Sequence, residues 1–175
     1  MNVKQLTVRC LVCALLFTLA AAPALGEEQY AYVDFVTSSS MSYNATATVG
    51  QVFDEYAYFD SVTWKEYPHL DRMIVEATGI YNVGAALAAL RDAALAESED
   101  ADLSFYSKSL NEFEQVSIVL YFSVDQDMTE VLTPSTSGLV RCRNGKNRTF
   151  QPGGAQVIFE NQPPPIETLY RQCYN

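Results

Sequence analysis

Apolar and polar residues alternate most regularly over residues 116–124. Val116, Ile118, Leu120, Phe122 and Val124 fall on one side of an extended chain, and Ser117, Val119, Tyr121 and Ser123 on the other. That period predicts a strand with one face in a core. Upstream the period lengthens: Val49, Val52, Phe53, Tyr56 and Phe59 recur at helical spacing. Thr48 and Gln51 stand in capping-box register ahead of them. Asp54, Glu55 and Asp60 fall outside the stripe, toward water. Burial of Val52, Phe53 and Phe59 is worth about 1.5–3 kcal/mol each. Gly50 and the aromatics are poor helix formers, so packing must hold this helix.

Around these two elements the pattern predicts the rest. Residues 61–67 and 72–81 form an antiparallel pair across Pro68, His69, Leu70 and Asp71. Asn82 caps an Ala-rich helix over 83–96 with Val83, Leu87, Leu90 and Ala94 as its stripe, ended by the acidic run 97–102. Residues 30–36 have strand composition, 37–42 form a Ser-rich turn, and 43–47 make a short strand or a lead-in to the first helix. Asp125, Gln126 and Asp127 turn the chain so that 129–133 return alongside the central strand. Residues 139–143 and 146–150 flank Asn144-Gly145, a hairpin signal of the type I′ kind. After Pro152-Gly153-Gly154, residues 156–160 read as a last strand; Pro163 to Pro165 are stiff, and 166–173 form a final helical turn. The expected fold is α+β: a mainly antiparallel sheet with a capped N-terminal helix and an Ala-rich helix packed on it.

The first 26 residues are set apart from this fold. Lys4 and Arg9 precede an apolar run over 10–22, and Ala22-Pro23-Ala24 or Ala24-Leu25-Gly26 offers a small-residue cleavage site. The run is short against the ~20 residues a membrane span needs. A secretory signal over 1–26 is therefore expected, leaving 27–175 as a single domain in the periplasm or outside the cell, with no later transmembrane segment. The net charge is −10, and losing Lys4 and Arg9 makes it more negative. Such a chain disfavours nucleic acid or an anionic membrane as partner, both being polyanions. Of four cysteines, Cys10 and Cys13 leave with the signal. Cys142 and Cys173 remain, and in an oxidising compartment they are expected to pair.

Chemistry is sparse. The one histidine, His69, sits beside Pro68 in an apparent loop, and no GxSxG elbow accompanies it. Zinc needs three or four ligands, and no such set is in view. Paired acids (Asp54 with Glu55, Glu97 with Glu99 and Asp100, Asp125 with Asp127) would serve a two-carboxylate hydrolase only across a cleft and otherwise read as solvated charge, and the run 97–102 lacks the calcium-loop spacing and glycine. Gly153-Gly154 follows a proline and opens no phosphate-binding helix. No cofactor is expected. The unusual feature is basic: Arg141, Arg143, Lys146 and Arg148 crowd one hairpin of an acidic chain. They read either as a docking edge or as an edge kept soluble by charge. His69 is a second exposed candidate, and the many tyrosines of the N-terminal third read as core with hydroxyls at its rim. Asn44-Ala45-Thr46 and Asn147-Arg148-Thr149 match the glycosylation sequon, which matters only in a eukaryotic source.

Residues 48–81 carry a resemblance. Thr48-Val49-Gly50 through Tyr56-Ala57-Tyr58-Phe59, then Trp64, then Ile74-Val75-Glu76-Ala77-Thr78-Gly79, is similar to a helix–hairpin pattern of uncharacterised bacterial exported proteins and lipoproteins, with a looser echo over 116–127. The Ala-rich helix and the cysteine pair depart from that pattern. The resemblance implies a bacterial, envelope-located α+β domain and carries no activity or site residue. The expected function is an exported, non-catalytic domain binding a protein or envelope component through Arg141, Arg143, Lys146, Arg148 or His69. The alternatives are a small hydrolase using acids such as Asp54 or Asp125, and an inhibitor or immunity-type protein.

Overall fold

The computed structural model describes residues 31–100 and 102–174, so residues 1–26, expected to be a secretory signal, and with them Cys10 and Cys13, lie outside the described residues. In chain order the elements are α1 (Ala31–Ser38), β1 (Ser40–Met41), β2 (Asn44–Thr48), α2 (Val49–Glu55), β3 (Phe59–His69), β4 (Arg72–Tyr81), α3 (Val83–Glu97), α4 (Ser104–Leu110), β5 (Phe113–Val124), β6 (Ser135–Cys142), β7 (Asn147–Phe150), α5 (Gln156–Phe159) and α6 (Ile166–Tyr174). Strands β3 to β7 form one antiparallel meander in sequence order, and β1 pairs with β2 apart from it. The α+β expectation holds.

The strand pattern of 116–124 extends to twelve residues as the middle strand. Val116, Ile118, Leu120, Phe122 and Val124 are fully buried. Register places Val75 beside Phe122, Ala77 beside Leu120 and Gly79 beside Ile118, so β4 contributes to the same face. Onto it packs α2, whose cap is reciprocal: Gln51 N–H donates to the Thr48 hydroxyl at 3.2 Å, and Thr48 N–H to Gln51 Oε1 at 2.9 Å. Phe53 is the hub, with Trp64 at 5.1 Å, Phe59 at 6.0 Å, Phe122 at 6.3 Å and Phe159 at 6.5 Å between ring centroids. Tyr56 closes the helix, and its buried hydroxyl donates to the Gln162 carbonyl at 2.7 Å. Burial pushes the phenols of Tyr56 and Tyr81 above their usual range.

The two edge strands of the sheet are packed in the same way. Phe59 on edge strand β3 lies over Gly79, and Phe150 on edge strand β7 lies over Gly138; a Cβ on either glycine would come within 2.3 Å of the ring. Each glycine is thus the floor for an aromatic ring from the neighbouring strand.

Three expectations are corrected. Residues 31–38 form helix α1, where strand composition had pointed to a strand. Two long-range bonds supply its start: the N–H groups of Tyr32 and Val33 donate to Glu66 Oε2 on β3, at 3.0 and 2.9 Å. The hydroxyls of Thr37, Ser38 and Ser39 donate back to the carbonyls of Val33, Asp34 and Phe35, so the Ser-rich run finishes the helix. Removing the carboxylate with Glu66→Ala should cost about 1–2 kcal/mol, read as a lower urea midpoint, with Glu66→Gln in between. An unchanged midpoint in Glu66→Ala would show that Glu66 is not what caps α1.

Residues 156–159 are likewise helical, not a last strand. Gly153 and Gly154 take positive φ and redirect the chain, after which Ala155, Ile158 and Phe159 bury at helical spacing. The third correction is the hairpin at Asn144-Gly145. Its loop has three residues, Arg143, Asn144 and Gly145, with Gly145 N–H donating to the Cys142 carbonyl and Cys142 N–H to the Lys146 carbonyl, both at 2.9 Å. Only Gly145 has positive φ, so this is a type I turn with a glycine bulge in place of type I′.

Other expectations hold with adjusted ends. Helix α2 stops at Glu55, short of the helical stripe expected through Phe59, because Tyr56 turns extended and Phe59 opens β3. The β3–β4 hairpin tightens to a two-residue turn at Leu70-Asp71, which puts Pro68 and His69 within β3. Asn82 Oδ1 caps α3 through Ala85 N–H at 2.8 Å. Asp125 organises its turn by accepting from the Thr129 hydroxyl and from the N–H groups of Thr129 and Glu130, bonds that hold its carboxyl below the usual range. The return over 129–133 shrinks to one bridge, Val124 with Val131. Helix α4 has no counterpart in the pattern reading; Phe105 docks it on Tyr170 of α6 at 5.2 Å.

Candidate functional site

The β6–β7 hairpin and α6 are built as one corner. Ile166, Leu169 and Cys173 form the fully buried stripe of α6. Cys173 is bonded to Cys142 at the end of β6, with Cα atoms 5.5 Å apart. Asn144 Nδ2 donates to the Cys173 carbonyl at 2.9 Å, so the hairpin loop also holds the last turn of the helix.

The loop type decides where the cations go. A two-residue loop at Asn144-Gly145 would pair Arg141 with Arg148 and set both on one face. The third loop residue shifts the register by one, pairing Arg141 with Asn147 and Val140 with Arg148. Arg148 and Lys146 therefore share the face of buried Val140 and Cys142, toward α6, while Arg141 lies on the opposite face. Arg143 is used structurally: its N–H donates to the Glu112 carbonyl at 2.9 Å and its Nε to the Phe113 carbonyl at 3.2 Å. The structure thus splits the four-cation cluster. His69 is exposed at the far end of the opposite edge strand and joins none of them.

What the structure assembles instead is a groove of ≈ 730 Å³ between β7 and α6, lined by Arg148, Glu167, Thr168, Arg171 and Gln172. Arg171 meets Glu167 at 2.8 Å, one helical turn away, with both side chains about 70% exposed. That pair is worth at most a few tenths of a kcal/mol, and Arg171 is easily redirected. Arg148 has no carboxylate within ion-pair distance among the described residues. Gln172 Oε1, shielded from solvent, has no hydrogen-bond partner among them either. The wall thus offers an uncompensated guanidinium and a weakly held one.

Two other concavities lie on α2. Phe53, Asp54, Tyr56, Phe59, Asp60, Ser61, Val62 and Trp64 line a cleft of ≈ 370 Å³, which brings Asp54 near a second carboxylate, Asp60. Asn44, Glu55 and Asn161 rim a smaller notch of ≈ 130 Å³. Among the described residues no group of three or more His, Cys, Asp or Glu is placed to hold a metal ion, and no helix is long and apolar enough to cross a membrane.

Sequence reasoning found Arg148 through local cation density but missed Thr168, Arg171 and Gln172. The available signal was Glu167 and Arg171 spaced i,i+4 on a segment whose Ile166, Leu169 and Cys173 mark the opposite side as buried. Comparison of the chain with protein-family models, curated proteins and solved structures gave no match.

Proposed function

We propose that the chain is an exported, non-catalytic domain that binds a protein or envelope component through the groove between β7 and α6. The observation that carries this reading is the pairing of Arg148 and Arg171 across a ≈ 730 Å³ groove on a chain of net charge −10. Cations gathered against the overall sign of a protein select and orient an acidic partner more than they stabilise the fold. Export is supported by the signal-like first 26 residues, by the Cys142–Cys173 bond, which persists in oxidising compartments, and by the resemblance of residues 48–81 to bacterial exported proteins.

The test is a pull-down from envelope extract with wild type and with Arg148→Glu/Arg171→Glu. Both side chains are largely exposed, so the variant should fold, and partners held through the groove should be lost from it. Recovery of the same partners by both proteins would contradict the reading. A second reading, a small carboxylate-dependent hydrolase, is favoured by Asp54 and Asp60 lining one cleft beside Trp64. It requires a turnover that Asp54→Asn abolishes without unfolding the chain.

A further inference from the structure

Edge strand β7 borders the groove, and the phase of its ladder fixes what it presents. Cys142 N–H donates to the Lys146 carbonyl, so that residue pair is hydrogen-bonded. Antiparallel pairs alternate between bonded and non-bonded. With Val140 opposite Arg148 and Leu139 opposite Thr149, Arg148 turns its backbone groups inward to β6. Asn147 and Thr149 turn theirs outward, at the free edge of the five-stranded sheet. The Asn147 carbonyl has a 3.5 Å contact from the Arg148 guanidinium. The remaining outward groups, both N–H groups and the Thr149 carbonyl, have no partner among the described residues. Beside this edge stands α6, and between strand and helix lies the arginine-lined groove.

We infer that this corner takes an extended acidic peptide segment as an added sixth strand, its backbone pairing with Asn147 and Thr149 and its carboxylates reaching Arg148 and Arg171. The inference rests on the groove reading above and names its ligand class. Two features argue for an extended peptide over a compact anion. A free edge satisfies backbone groups that only another backbone can match in register. Side chains of an added strand point alternately to the two sheet faces, so every second residue enters the groove on the Arg148 side. Charge complementarity sets the sign, because Arg148 has no carboxylate of its own among the described residues.

The experiment measures binding of a short dye-labelled peptide alternating Thr and Glu to the oxidised protein by fluorescence anisotropy at low salt. Two further peptides carry N-methyl groups on alternate amides, one in each register, keeping every charge while only one of them loses the donors that face the edge. On the protein side, Thr149→Pro deletes an outward N–H that the ladder does not use, Thr149→Ala keeps it, and Arg148→Glu reverses the charge. Losing two backbone bonds should weaken binding by at least about tenfold. That loss is expected for N-methylation in one of the two registers; Thr149→Pro, which removes a single outward N–H, should weaken binding by about threefold, with Thr149→Ala close to wild type. If Arg148→Glu weakens binding while N-methylation in either register and Thr149→Pro do not, strand addition is overturned and the charged groove stands. If the parent peptide does not bind, or binds regardless of Arg148, both are overturned. Should Thr149→Pro fail to fold, the N-methylated peptides on wild type decide alone.

Discussion

Gly79→Ala should destabilise the domain by about 2–3 kcal/mol, although strand propensity alone favours alanine by about 0.5–1 kcal/mol. The sign reverses because the new methyl would stand 2.3 Å from Phe59 Cζ. Phe59 is not free to swing away, with the rings of Tyr56 at 4.6 Å and Tyr81 at 5.2 Å between centroids. Shortening the ring should relieve the clash. Phe59→Leu/Gly79→Ala is expected to lose at least about 1 kcal/mol less than the sum of its parts, as contacting pairs do. Urea unfolding of the four proteins measures this cycle. Additive losses would mean that the ring does not rest on the glycine, and a stabilised Gly79→Ala would contradict the packing outright. Gly138→Ala under Phe150 should behave alike at the other edge, next to the groove.

The second large effect concerns the corner that frames the groove. Replacing both Cys142 and Cys173 by alanine opens a covalent loop with a sequence separation of 31. The chain-entropy cost for a loop of that size is about 3.5 kcal/mol. The loss should appear first locally. Helix α6 keeps Ile166 and Leu169 in the core but loses the tie that holds its last turn, leaving Asn144 Nδ2 to Cys173 O as the remaining hydrogen bond to the hairpin among the described residues. Hydrogen exchange of residues 169–173 should then speed up before that of β5, whose inward side chains are fully buried. Exchange that speeds up uniformly would place the disulfide's effect in the whole chain and not in this corner.

Elements whose causes are local were legible from the chain. The reciprocal cap of α2 needs only Thr48 and Gln51, the cap of α3 only Asn82, and the faces of β5 only its own alternation. The cysteine pairing followed from having two candidates in a domain expected outside the cell. Elements whose causes lie elsewhere were not legible. Helix α1 has strand-like residues and begins on a carboxylate 34 positions away, on β3. Helix α5 is short and forms because Ile158 and Phe159 reach the core beside Phe53. For the groove, cation density pointed to Arg148 but the loop type decided its face. Asn144-Gly145 is compatible with either a two-residue or a three-residue loop, and one residue of register separates Arg141 from Arg148. Thr168 and Arg171 reach the same groove only through tertiary docking of α6.

The proposed binding belongs to the corner between β7 and α6. Amide-resolved NMR of the oxidised protein titrated with the Thr/Glu peptide tests it most directly. Shifts should concentrate at Asn147 to Thr149 and at Glu167 to Gln172, saturate together, and vanish in Arg148→Glu. Saturating shifts that leave this corner untouched and map instead to Asp54, Asp60 and Trp64 would contradict it.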